Sequence, residues 1–251
     1  MEVHMQTDIG KLRDTNEDAV GIFYNKSNQL LAIVADGMGG HQAGEIASTL
    51  AISFVKELWE STKKFSTKIE SESWLQSCVE DLNSYILKKS KENENYNGMG
   101  TTVVMSMHTD DFVTIAHVGD SRCYFLENEK LELKTCDHSY VYELVKNGEI
   151  TLDEAENHPK KNMLLRVIGT ESIVEPAIAS FDVQAISHIL LCSDGLTNKV
   201  THTELEDNLK VNNRVEEKTQ YLINLANERG GEDNISVIII HSGMNEEGEQ
   251  P

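Results

Sequence analysis

Four short apolar runs of this chain stop or start at an aspartate. Leu30–Ala35 (LLAIVA) runs into Asp36, Val113–Val118 (VTIAHV) into Gly119-Asp120, and Ile189–Cys192 (ILLC) into Ser193-Asp194. Asp233-Asn234 opens the last run, Ile235–His241 (ISVIIIH). Runs this short, rich in Val and Ile and bounded by turn residues, fit buried strands better than helices. A further acidic group, Asn16-Glu17-Asp18, stands just before Val20–Tyr24. If these edges converge in the fold, their acidic groups share one pocket.

The remaining chain supplies layers to cover such strands. Gln42–Glu60 carries Ile46, Leu50, Phe54 and Leu58 along one helical face, and Trp74–Asn93 carries Leu75, Val79, Leu82 and Ile86 along another. Closely spaced strands are expected over Thr101–Met107, Val113–Val118 and Arg122–Leu126, with Thr109-Asp110-Asp111 as a hairpin turn. Asp137–Gly169 is polar, with short helices expected over Tyr140–Asn147 and Leu152–Asn157, the second stopped ahead of Pro159. Thr203–Leu209 and Arg214–Arg229 read as two more helices. Blocks of strands separated by helix pairs predict an α+β domain of packed antiparallel sheets covered by helices. Strict strand–helix alternation is missing, which disfavours a doubly wound parallel sheet. No linker or repeat divides the sequence, so one domain over residues 1–242 is expected, followed by an acidic tail at 243–251.

Charge narrows the function. With 22 basic against 42 acidic residues in 251, the formal net charge is −20. Such a surface repels phosphate backbones and anionic lipid, so nucleic acid and membrane surfaces are poor partners. The opening MEVHMQTDIGKLRD has no apolar stretch for a signal peptide, and no run approaches a membrane span. A cytoplasmic protein without membrane insertion is expected. Cys78, Cys123, Cys136 and Cys192 form no C-x-x-C pair and are expected to be buried, reduced thiols.

Like-charged carboxylates in one pocket hold raised pKa values unless cations neutralise them. Oxygen-only ligands select hard ions such as Mg²⁺ or Mn²⁺ over zinc. Each aspartate has a plain structural explanation as well, since Asp-Gly after a strand is an ordinary turn. What shifts the balance is their combination with Arg13, a guanidinium able to grip two phosphate oxygens at once. In isolation Arg13 reads more simply as a surface ion pair. The glycine-rich stretch Asp36–Glu45 (DGMGGHQAGE) lacks the Gly-Lys-Ser/Thr of a phosphate loop; its glycines let the backbone turn so that the Gly37 carbonyl can face a cation. No Gly-x-Ser-x-Gly, His-Glu-x-x-His or EF-hand pattern occurs. His41, His138 and His158 lie in polar loops, whereas His117 and His188 have strand-like, structural contexts.

Together the motifs ADGMGGHQAGE, GMGTT, AHVGDSRCY, DHSYVYELVKNGEIT with EAENHPKKN, LLCSDGLTNKV and GGEDNISV resemble the PPM (protein phosphatase 2C) family of metal-dependent serine/threonine phosphatases, in its bacterial stand-alone form. The resemblance runs from about Thr7 to Ile240. It implies a central antiparallel β-sandwich flanked by helix pairs, with a small helical flap over about 137–170 beside the site. On matching positions, Asp36 would bridge two Mn²⁺ or Mg²⁺ ions, with Asp194 and Asp233 on one and the Gly37 carbonyl on the other. Glu17 and Asp18 would act through water, Asp120 with Asp194 would serve a weaker third ion, and Arg13 would bind phosphate. Met38 stands where many relatives carry a histidine, which leaves His41, His158 or metal-bound water as candidate proton donors. Implied too are direct hydrolysis by activated water, phosphorylated proteins as substrates, and a membrane serine/threonine kinase as the opposed partner; nothing in the sequence demands an oligomer, so a monomer is expected. The rival readings are a catalytically silent binding or scaffold module on the same fold, a structural β domain whose aspartates only close turns, and a phosphatase for small esters.

Overall fold

The structure is a computed structural model describing residues 1–40 and 42–242. His41 and the tail at 243–251, both singled out above, lie outside the described residues. In chain order the strands are β1 (Glu2–Asp8), β2 (Asp18–Tyr24), β3 (Leu30–Met38), β4 (Gly100–Thr101), β5 (Val103–His108), β6 (Phe112–Val118), β7 (Arg122–Glu127), β8 (Lys130–Leu133), β9 (Ala177–Asp182), β10 (Ile186–Cys192) and β11 (Ile235–His241). The helices are α1 (Ala43–Ser61), α2 (Lys68–Glu92), α3 (Tyr140–Lys146), α4 (Leu152–Glu156), α5 (Asp194–Thr197), α6 (His202–Lys210) and α7 (Val215–Glu228). One sheet runs β1-β11-β10-β7-β8 and the other β2-β3-β5-β6-β9, with β4 paired to the end of β3. All strand pairings are antiparallel.

The unbroken apolar runs reflect burial on both faces of a strand. In β3, Leu31, Ile33 and Ala35 face a core shared with Ala47, Val55 and Trp59 of α1 and with Leu75, Leu82 and Ile86 of α2. The alternate residues Leu30, Ala32 and Val34 meet Phe125, Leu191 and Ile238 of the opposite sheet. On the far side, Leu190, Val237 and Ile239 pack on Leu205, Leu209, Leu222 and Ile223 of α6 and α7. A period of two thus divides each central strand between two cores, giving helix, sheet, sheet and helix layers.

Helix α1 corrects the expected stripe. Its buried face is Ala43, Gly44, Ala47, Ser48, Ala51, Val55 and Trp59, whereas Ile46, Leu50, Phe54 and Leu58 are only partly covered. Small side chains bring the helix axis close to the sheet, and the larger row turns toward α2, where Phe54 stacks on Tyr85 at 5.0 Å. Helix α2 begins earlier than Trp74, at a Thr67–Glu70 capping box in a polar first turn. The cysteine expectation also needs amending, because Cys78, Cys123 and Cys192 are buried but Cys136 is exposed. No described helix is long and apolar enough to cross a membrane.

Candidate metal centre

Register brings the first acids together. Asp18 of β2 lies directly opposite Asp36 of β3, and the Ser193 hydroxyl donates to Asp18 Oδ2 at 2.7 Å. Just past Asp36 the chain is squeezed. The Gly37 amide donates to the Glu17 carbonyl at 3.0 Å, and a Cβ on Gly37 would overlap the Gly44 carbonyl oxygen. A Cβ on Gly44 would stand 2.6 Å from Glu17 Oε2. Only glycines let the Glu17 carboxylate, the Gly37 backbone and the first turn of α1 crowd together.

The other strand ends arrive from both sheets. The Asp36 amide donates to Thr102 Oγ1 at 3.1 Å, and the Thr102 and Ser121 hydroxyls share a 2.8 Å bond, which ties Asp36 to the Asp120 turn. Asp194 opens α5, with Asn198 Nδ2 donating to its Oδ2 at 3.1 Å. Gly195 is pressed against the Asn234 backbone, which sets this turn beside Asp233. Arg13 Nη2 is 2.7 Å from Asp233 Oδ1, and its Nε donates to the Glu232 carbonyl at 3.3 Å. The Arg13 side chain stays 46 % exposed, open to a ligand from solvent.

The electrostatics follow from this crowding. Burial raises the Asp36 carboxyl well above its ordinary value, and Asp18, Asp194, Asp120 and Asp233 each push it further. Asp120 is pushed up to about 8 by burial and then by Asp194 and Asp137, with Arg122 pulling the other way. Asp18 reaches about 7 through burial, despite the Ser193 and Ser236 hydrogen bonds that favour its ionised form. Burial, then Asp233, raises Asp194. Glu17 is raised by burial, an effect that Arg13 opposes. Asp36 is therefore the hub of a ring of acids.

Of the sequence candidates, Asp18, Asp36, Asp120, Asp194 and Asp233 share one field, Glu17 and Gly37 border it, and Arg13 reaches Asp233. His158 is apart from them in its bonding: it accepts from the Lys160 amide at 3.1 Å and lies 5.9 Å from the Tyr140 ring, contacts within the flap. Sequence reasoning missed Asn234. Its Nδ2 donates to the Ile9 and Thr15 carbonyls at 2.9 and 3.0 Å, and its Oδ1 accepts from the Glu17 amide at 2.8 Å. This one amide fastens the loop that carries Arg13 and Glu17. The Asp-Asn pair ahead of a strand was the available signal, since a side-chain amide offers two donors and an acceptor at once.

Among the described residues, no three acidic, imidazole or thiol groups stand close enough to hold an ion by themselves. The donor chemistry nevertheless fits hard divalent cations. It is all oxygen, it carries excess negative charge, and ions of this kind retain water in their shells, so that carboxylates need not close on one point. The raised carboxyls are what such a cluster shows before counter-charge enters.

The sandwich of two antiparallel sheets thus gathers its acids at one end, an all-oxygen donor set of the kind that metal-dependent hydrolases use. A family model for protein phosphatase 2C matches residues 12–236. The serine/threonine phosphatase stp of Listeria monocytogenes is 44% identical over 248 residues, 99% of this chain and 98% of that protein. Protein phosphatase PhpP of Streptococcus pneumoniae is 37% identical over 98% of this chain and 99% of its own length. Among solved structures, the serine/threonine phosphatase Stp1 from Staphylococcus aureus superposes with a TM-score of 0.92 at 38% identity, covering 97% of this chain and 95% of that one. The catalytic domain of the phosphatase PstP, in complex with 2 manganese ions, gives a TM-score of 0.82 at 32% identity, covering 95% and 96%. The chain belongs to the protein phosphatase 2C family.

Proposed function

We propose that Asp36, Asp194 and Asp233, with the Gly37 carbonyl, hold two divalent cations, Mn²⁺ or Mg²⁺, and that Asp120 with Asp194 serves a weaker third. Glu17 and Asp18 contribute through ordered water. The enzyme is a metal-dependent protein serine/threonine phosphatase. The observation that carries the site assignment is Asp36 ringed by four carboxylates that raise its pKa; the manganese ions in the PstP relative support it. When bound, such ions neutralise charge at the phosphate and acidify water enough to make it a nucleophile near neutral pH.

The chain's own residues supply placement. Arg13, anchored by Nε on the Glu232 carbonyl and paired through Nη2 with Asp233, would present its exposed guanidinium edge to phosphate oxygens. Asn234 holds the Arg13 loop in register with Asp233, so the phosphate clamp and the carboxylates move as one body. Ser193 fixes the Asp18 carboxylate, and Thr102 with Ser121 fixes the spacing of Asp36 and Asp120. His158, on the flap, is the candidate to return a proton to the leaving hydroxyl, together with His41. Catalysis on this plan is positioning and charge neutralisation, with no phosphoenzyme.

The substrates are phosphoserine and phosphothreonine proteins, and the partner is a bacterial membrane serine/threonine kinase and its targets. We place the chain in the cytoplasm as a monomer, with one phosphatase domain over 1–242 and a flap over 137–170. A silent scaffold is disfavoured because none of the expected acids is missing. The test is hydrolysis of a phosphothreonine peptide with Mn²⁺, with EDTA, and by Asp36→Asn. Activity is expected only for the unaltered chain with Mn²⁺; similar turnover in all three removes the metal reading.

A further inference from the structure

The root of the flap is bonded to the Asp120 turn through residues that no step above uses. His117, near the end of β6, has Nε2 2.9 Å from the Cys136 carbonyl. Arg122, the first residue of β7, grips Asp137 twice, Nε to Oδ1 at 3.0 Å and Nη2 to Oδ2 at 2.7 Å. His138 then exchanges two bonds with Gly119: its backbone N–H donates to the Gly119 carbonyl at 2.9 Å, and the Gly119 N–H donates to its Nδ1 at 3.2 Å. Its other ring nitrogen, Nε2, stands 3.3 Å from Arg166 Nη1, so a donor faces each side of the ring. The ring itself lies on His117, with centroids 4.6 Å apart.

His138 also reaches the outgoing side of the flap. Its carbonyl accepts from the Leu165 N–H at 2.8 Å, and next to it Ser139 and Leu164 form a β-bridge. Further along, the Ile168 and Thr101 backbones exchange bonds at 3.0 and 3.1 Å, and Asn83 of α2 accepts from the Gly169 N–H at 2.7 Å. Gly119 is closely packed. It has φ +105°, and a Cβ there would stand 2.5 Å from the Thr102 side chain that ties Asp36 to Ser121. One residue therefore bonds both the turn carrying Asp120 and the outgoing segment of the flap.

We propose that His138 is a positioning residue that couples the flap to the Asp120 turn, so that the two are held or released together, with the Arg122–Asp137 pair as the second half of the clasp. In functional terms this makes flap placement a control on the weaker cation site. That consequence rests on the reading of Asp120 given above, whereas the coupling itself is a property of the chain without metal.

The experiment is hydrogen–deuterium exchange on the metal-free full chain, comparing the unaltered protein with His138→Ala, His138→Asn and Leu165→Pro. Asn keeps an acceptor near the place of Nδ1, and Leu165→Pro removes the flap-side donor without touching the turn. The Gly119 amide and the Leu165–Ile168 amides should both exchange about tenfold faster in His138→Ala, the factor expected for one lost hydrogen bond. Both should stay near the unaltered rates in His138→Asn. In Leu165→Pro, the Ile168 and Gly119 amides should accelerate together. A calorimetric Mn²⁺ titration should show the weakest binding phase weakened several-fold in His138→Ala and restored in His138→Asn. Acceleration of only one segment, or equal acceleration in the Ala and Asn variants, overturns the coupling. Leu165→Pro decides the matter even if His138→Ala does not fold, because an unchanged Gly119 amide beside a faster Ile168 amide contradicts it. Exchange is read without metal or substrate, so it judges the clasp separately from the phosphatase reading.

Discussion

The two ends of the sandwich bury ionisable groups in opposite ways. Where β3, β6 and β10 stop, carboxylates crowd around Asp36, and burial and mutual repulsion raise them. At the other end, β10 and β11 meet β1 at His188, His241 and Glu2, and the buried charge there is answered from within. Lys218 of α7 is 3 % exposed. Its Nζ donates to the Leu209 carbonyl and lies 2.9 Å from His188 Nε2, whose ring stacks on His241 at 4.4 Å. Burial pushes Lys218 down, and burial followed by Lys218 and His241 pushes His188 to about 3. At the far end the hydrogen-bond acceptors come from within the fold. The acid end is left short of positive charge, and that shortage marks the functional site better than burial does.

If this contrast is real, substitutions at the two ends separate activity from stability. Asp36→Asn should lower peptide turnover by about a thousandfold or more. It should also raise the melting temperature of the metal-free protein, because it removes a buried, repelled charge. A metal-free variant that melts lower than the unaltered chain breaks the contrast. Arg13→Ala should raise KM by roughly tenfold to a hundredfold, the range for a lost charge-assisted bond, with at most a modest tightening of Mn²⁺ binding by calorimetry as Asp233 loses its ion-pair partner. A strong shift in metal affinity with KM constant would remove the clamp role.

The far end should behave in reverse. Lys218→Met leaves the Leu209 carbonyl and the His188 ring without their donor, a loss of about 2 kcal/mol in urea unfolding, with kcat unchanged well below the transition. A fall in kcat with no loss of stability would mean that the ends are not independent. The smallest effect concerns pH. His108 and His188 both have folded pKa values of about 3, below the ordinary value of 6.5. Such groups contribute stability that is fully present above about pH 6.5 and lost as pH falls toward 3. The raised carboxyls Asp18 and Asp120 act in the opposite sense over this range, so the check is a difference: between pH 7.5 and pH 5, His108→Gln should lose less unfolding free energy, or gain more, than the unaltered chain, by roughly 1–2 kcal/mol.

The contrast also explains what the sequence disclosed. Strands buried on two faces leave unbroken apolar runs, so β3, β6, β10 and β11 were legible, and the acids closing them marked one end of the fold. Edge strands leave no such trace. Both β1 (EVHMQTD) and β8 (KLEL) are largely polar and gain their identity from the partners they pair with, β11 and β7. Helix α1 misled because its sheet-facing row is Ala47, Ala51 and Val55, less apolar on paper than the row of Ile46, Leu50 and Phe54 beside it. Within the site, ligand-type residues announced themselves by chemistry. Asn234, Ser193 and Thr102 act only through long-range hydrogen bonds, which no local pattern encodes.

The central claim is that acids distant in sequence form one cage for paired divalent ions. Anomalous diffraction at the manganese edge, from crystals grown with Mn²⁺, tests it most directly. The account predicts two strong manganese peaks bounded by Asp36, Asp194, Asp233 and the Gly37 carbonyl, with any weaker third peak beside Asp120. Carboxylates pointing apart with no manganese between them, in protein that still hydrolyses phosphothreonine peptide, would contradict it.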